Sequence, residues 1–209
     1  MAAVAWLWGH DAAQPVVWQF EDGPTDDPAT HRVLAWDFQV GGSVFGLAYD
    51  ALREDLYVAA AHVMPYRWYS AGGPGQIFVV DTARATARPF AVLDAGADRL
   101  AGRDAAEWVG RTGLGDIELD DAATTLFVTN LTDRRVHRFA VPDGTALGSF
   151  ANGAAGEDWA ADARPFALAW GDGWLYHGVV DACETRFCLP TGRVFRSRED
   201  GSEMSEVAE

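Results

Sequence analysis

The sequence predicts an all-β fold of the β-propeller class, with about four blades visible. Three observations lead there. Short apolar runs rich in Val, Phe, Tyr and Trp alternate with clusters of Gly, Asp and Pro, the pattern of strands and tight turns. The runs recur as a unit, with Leu47 to Leu56 spaced as Ile117 to Leu126. The 209 residues are 49% hydrophobic and 22% charged, an ordinary globular balance. A β-sandwich would share the strand count, but the internal repeat argues against it.

Taken in order, the first blade spans residues 4–38, with strands expected at Val4–Trp8, Val16–Phe20 and Arg32–Phe38, and is the least regular. The second spans 44–94. Val44–Tyr49 alternates, Leu56–Val58 is a compact apolar run, Gln76–Asp81 follows, and Pro89–Leu93 is the outer strand. The third spans 114–150, through Ile117–Leu119, Leu126–Thr129, Val136–Val141 and Ala146–Phe150. The fourth spans 165–198, through Phe166–Trp170, a tight Gly171–Gly173 turn, Trp174–Val180 and Arg193–Arg196. Two insertions break the period, 62–75 and 94–113, and Asp104–Val109 in the second is the best short helix candidate. Long loops on such folds often carry binding.

Charge narrows the function. The formal net charge is −15, which repels phosphate backbones and anionic membranes and so excludes nucleic acid as a natural partner. All 16 basic residues are Arg. No apolar run is long enough for a spanning helix, so no membrane insertion is expected. Met1–His10 lacks a basic leader region, and Arg198–Glu209 lacks a closing element, which together suggest a piece of a longer chain. Cys183 and Cys188 leave three alternatives open: free thiols, a loop-closing disulfide that implies an oxidising compartment, or part of a zinc site.

No catalytic signature is present: no nucleophile elbow, no phosphate loop and no zinc-protease helix. Asp116, Glu118 and Asp120 alternate on one predicted strand and share a face, with Ile117 and Leu119 on the other. Asn130 and Asp181 end the second strands of their blades, and His62 follows the equivalent strand of its own. Were those ends to converge, Asp116, Asn130 and Asp181 would be oxygen ligands for a divalent cation, with calcium the natural choice. The competing role is capping turns. Tyr66, Arg67, Trp68 and Tyr69 in the first insertion form an aromatic-rich loop suited to a protein or glycan partner. Of the nine Trp, Trp36, Trp170 and Trp174 fit blade packing. His10, His31, His137 and His177 lack ligand spacing and fit structural roles.

The segments Gly42–Asp50, Leu56–Ala61 and Gly73–Asp81, then Val109–Ile117 with Thr125–Arg134, then Arg164–Leu168 with Trp174–Val180, occur in an order that resembles the propeller-like region of large bacterial surface proteins carrying Cna-B or SdrD-type modules. More distantly, Leu126–Asn130 resembles YVTN and NHL-type propeller repeats. The resemblance covers roughly residues 42–197 and implies a propeller, export, and a secreted or cell-surface adhesive role. It brings no catalytic residues. Against it, no signal peptide and no sandwich module are visible here, and the Cys183–Cys188 stretch departs from the pattern. The expected function is therefore a non-enzymatic interaction module binding through rim loops. The alternative is a metal-dependent lactonase-like hydrolase, with a channel cation held by Asp116, Asn130 and Asp181.

Overall fold

A computed structural model describes residues 2–4, 15–19, 31–36, 44–61, 73–97 and 109–208. They form a β-propeller arrangement of four antiparallel sheets, each running outward in chain order. The first has three strands: β1 (Ala2–Val4), β2 (Pro15–Gln19) and β3 (Arg32–Trp36). The second has β4 (Val44–Asp50), β5 (Asp55–Ala60), β6 (Gln76–Asp81) and β7 (Thr86–Val92). The third has β8 (Leu114–Leu119), β9 (Thr125–Asn130), β10 (Arg135–Ala140) and β11 (Ala146–Ala151). The fourth has β12 (Ala163–Gly171), β13 (Trp174–Asp181), β14 (Thr191–Ser197) and β15 (Ser205–Ala208). This last strand lies beyond the expected end at 198, and its four residues are all exposed. A polar outer strand carries no apolar pattern to betray it. The expected helix at Asp104–Val109 lies outside the described residues, except Val109, which is in a turn. No helix among the described residues is long and apolar enough to cross a membrane.

The middle strands β5, β6 and β9 bury both faces, which is why they read as largely apolar runs. In β5, Leu56 and Val58 pack with Val17, Leu34 and Phe78 against the first blade. Tyr57 on the other face joins Ile117, Leu126 and Val128 of the third. In β9 the opposite face carries Phe127, which packs with Leu168 and Leu175 of the fourth blade and stacks on Trp170 at 5.4 Å. Each such side chain contributes roughly 1.5–3 kcal/mol when removed from water. Trp174, expected in blade packing, instead lies beneath the guanidinium groups of Arg196 and Arg198, at 4.4 and 3.5 Å from its ring centre.

The turns account for many of the acidic residues. The carboxylates of Asp50, Asp81, Asp120, Asp133, Asp143 and Asp200 each accept a hydrogen bond from a backbone amide two to four residues on.

Inner strands β4, β8 and β12 lie side by side, and each carries a bulge at the same level. There the backbones approach too closely for side chains. A Cβ on Gly46 would lie 2.8 Å from the Gly115 carbonyl oxygen and the Ile117 nitrogen. One on Gly115 would lie 2.5 Å from Thr129 Oγ1. Phe45 and Phe166, flanking this gap, meet with ring centres 4.9 Å apart.

The bulges also set the register that buries His177. It pairs with Leu168 as Val58 pairs with Leu47 and Val128 with Ile117, so an imidazole occupies a valine level of the core. Its ring lies between Phe195 and Phe150, fully buried. Neither ring nitrogen makes a well-formed hydrogen bond, although the Asn152 backbone lies beside it. Burial pushes its pKa down from 6.5 to about 4. Glu118, on the face of β8 opposite Ile117, is pushed up to about 7 by burial, with the Asp116 charge adding to it.

Two outcomes follow from this packing. Gly46→Ala meets backbone atoms that cannot rotate away, so chemical denaturation should show a loss of about 2 kcal/mol or more. For His177, the unfolded chain binds a proton near pH 6.5 and the folded chain only near 4, so stability falls as pH drops through that window, by at most roughly 3 kcal/mol. Glu118 acts with the opposite sign, losing stability as pH rises from its ordinary value towards 7. His177→Leu should therefore flatten the acid limb between pH 6.5 and 4 relative to the parent while costing little at pH 7. An unchanged limb in that variant would refute the assignment.

Candidate functional site

The starts of β4, β8 and β12 and the ends of β5, β9 and β13 share one rim. Backbone bonds knit the blades there. Ala61 bridges Gly113, the Leu131 amide donates to the Gly113 carbonyl (3.1 Å), and the Gly113 amide donates to the Ala95 carbonyl (3.0 Å). The side chain of Asn130, fully buried, donates to the Asp94 carbonyl (2.9 Å) and accepts from the Thr132 amide (2.9 Å).

Beyond β13 the chain makes a short loop closed by a Cys183–Cys188 disulfide, the second of the alternatives the sequence left open. Carboxylates hold its base. Asp181 accepts from the Cys183 amide (3.1 Å) and from the Arg186 guanidinium. Asp162 accepts from the amide (2.8 Å) and hydroxyl (3.0 Å) of Thr185. Glu184, within the loop, takes both oxygens to Arg164: Nε donates to Oε1 (2.7 Å) and one terminal nitrogen to Oε2 (2.8 Å). Arg164 is nearly buried, and its other terminal nitrogen donates to the Leu131 carbonyl, so the loop is bolted to the third blade. Clamped at its base, the loop presents Phe187 and Leu189 at 105% and 85% exposure. They are the two most exposed of the large apolar side chains among the described residues, ahead of Leu52 at 77%.

Beside the loop lies a cleft of about 340 Å³ lined chiefly by Gly96, Arg111, Thr112, Thr132, Arg164 and Glu184. Hydrogen bonds from Arg164, and then the charges of Arg164, Arg111 and Arg134, hold the Glu184 carboxyl below its usual range against the opposing effect of burial.

The sequence-derived candidates fall in separate places. Tyr66, Arg67, Trp68 and Tyr69, and His62 before them, lie outside the described residues. Asp116 sits at the seam of the third and fourth blades, where its carboxylate accepts from the amides of Ile117 (3.0 Å) and Leu168 (3.0 Å). Burial raises its pKa, and those two amides oppose the rise. Asn130 caps the β9–β10 turn, and Asp181 anchors the disulfide loop. Among the described residues, the one grouping of His, Cys, Asp or Glu at metal-ligand distances is Asp181 with Cys183 and Cys188, and both sulfurs are already joined to each other. The Arg164–Glu184 clamp, Arg111 and Phe187 were missed. Phe187 inside a closely spaced Cys pair was a usable signal; the Arg164–Glu184 contact spans 20 residues and had none.

No family model matches the chain, and no curated protein matches it. Solved structures do. A chain in the crystal structure of a nidogen/laminin complex aligns with 93% of this chain and 59% of its own length, at 16% identity and a TM-score of 0.60. A luciferin-regenerating enzyme and an ancestral GH74 enzyme align at 16% identity over 79% of this chain, covering 47% and 20% of theirs, with TM-scores of 0.43 and 0.49. The chain thus spans about three-fifths of the length of its nidogen/laminin neighbour, and what the likeness establishes is the fold, a β-propeller.

Proposed function

We propose that the chain is a non-enzymatic interaction module that binds a protein partner through the rim bearing the disulfide loop. The observation that carries this reading is Phe187, fully exposed at the tip of a loop whose base is fixed by the disulfide, Asp162, Asp181 and the Arg164–Glu184 pair. A loop fixed at its base before binding loses less freedom when its aromatic side chain enters a partner's pocket, so more of the burial energy appears as affinity. The disulfide and the resemblance to bacterial surface proteins support a secreted or cell-surface setting. The metal-dependent hydrolase reading would need Asp116, Asn130 and Asp181 at one cation, whereas they are held by different partners: the Leu168 amide, the Thr132 amide and the Arg186 guanidinium.

Immobilised parent chain and Phe187→Ser/Leu189→Ser chain, incubated with the extracellular fraction of the source culture, test the reading. A species retained by the parent and lost by the double variant, with both proteins melting alike, is expected. Equal retention by the two, or none by either, would overturn it. Melting in calcium against chelator addresses the alternative, because a ligand of the folded state must raise the melting temperature. No shift is expected; a clear upward shift, abolished by Asp116→Asn, would restore the metal reading.

A further inference from the structure

The geometry points to the rim cleft beside the disulfide loop as a binding site for a carboxylate, gripped by Arg111 and the threonine-lined wall around Gly96. This deepens the interaction reading and rests on it for the source of that carboxylate, an acidic segment of the partner protein.

Charge comes first. Three guanidinium groups, Arg164, Arg111 and Arg134, act on Glu184, and the Asp94 carboxylate, which accepts from the Gly96 amide (3.3 Å), is a second acidic group at the cleft's edge. Arg164 is already used, with its fork closed on Glu184 and its remaining nitrogen on the Leu131 carbonyl. Arg111 is not. Its Nε lies 3.5 Å from Glu184, its side chain is 45% exposed, and among the described residues its terminal nitrogens show no hydrogen bond. A half-exposed guanidinium steadied from behind by a carboxylate presents a planar pair of donors, and the matching ligand is a planar pair of oxygens. The cleft already displays that chemistry, since Glu184 closes on Arg164 in this two-point manner.

Shape comes second. Gly96 has φ +87, and a Cβ there would stand 3.0 Å from Thr132 Oγ1 and 3.2 Å from Thr112 Cγ2. The missing side chain is what keeps space open between the two threonines and beside Arg111. About 340 Å³ suits a carboxylate with a few carbons attached, the size of an acidic side chain or a chain terminus. Glu184 also belongs to the loop that carries Phe187, so one partner segment could contact both features.

The test is calorimetric titration, at low salt, of glutarate and of an acetylated hexaglutamate peptide into four proteins: parent, Arg111→Gln, Arg84→Gln and Phe187→Ser/Leu189→Ser. Arg84 is an exposed arginine paired with Asp81 on a different blade, and it controls for general charge. The parent should bind at least one probe, and Arg111→Gln should weaken it by roughly tenfold or more, while Arg84→Gln leaves it unchanged. Peptide binding at least about tenfold tighter than glutarate assigns the carboxylate to a partner segment; equal affinities assign it to a free organic acid. No binding of either probe at about 10 mM, or equal loss in Arg111→Gln and Arg84→Gln, would overturn the site. The double variant separates this inference from the module reading. It should keep glutarate binding while losing partner capture. Capture without binding of either probe would sink the carboxylate site alone, and glutarate binding without capture would sink the module reading alone.

Discussion

The architecture depends on the close approach of the three inner strands. Where Gly46 meets Gly115 there is room for backbone and nothing else. The Asp116 carboxylate then reaches across to the Leu168 amide and ties the third blade to the fourth. Removing side chains at that level allows the bulges of β4, β8 and β12 to nest, and the nested bulges fix how each blade face meets its neighbour. Burying a carboxylate there is costly, and the two amides it accepts from are what make it tolerable.

From that seam the interblade layers follow. Leu56 and Val58 of β5 face the first blade, and Tyr57 between them, on the opposite face of the strand, faces the third. His177 is the exception that shows how rigid the register is. A residue that prefers partial exposure is carried into a fully apolar level because Leu168 pairs with it, and it stays neutral. Its neutral form is the one this apolar level accommodates, so protonating it at low pH opposes burial.

The rim is built on the same seam but with different forces. Its disulfide loop is held by carboxylates and a cross-link, while Trp159 of the loop before β12 packs on Val179 and Phe195. Arg164 links the elements: it leaves β12 buried, bonds the third blade through Leu131 and captures Glu184 of the disulfide loop. An apolar tip can be displayed in water because its base is fixed by these polar contacts.

The sequence by itself determined the hairpin turns, the repeat and the strands with an apolar pattern, but not β15, which has none. These depend on local chemistry: alternating or continuous apolar runs, and Asp side chains that bond amides a few residues away. It also placed Asp116 and Glu118 on one face and Ile117 and Leu119 on the other, as the burial of β8 shows. What only the tertiary structure decided is which residues from distant blades meet. Asp116, Asn130 and Asp181 each sit near a strand end or seam, but nearby amides and guanidinium groups claim their oxygens separately. Arg164 finds Glu184, and Gly96 opens a cleft beside Arg111, because the inner strands pack at backbone contact. Local patterning carries no record of such long-range partners, since one arginine or glycine looks like any other until the blades are placed side by side.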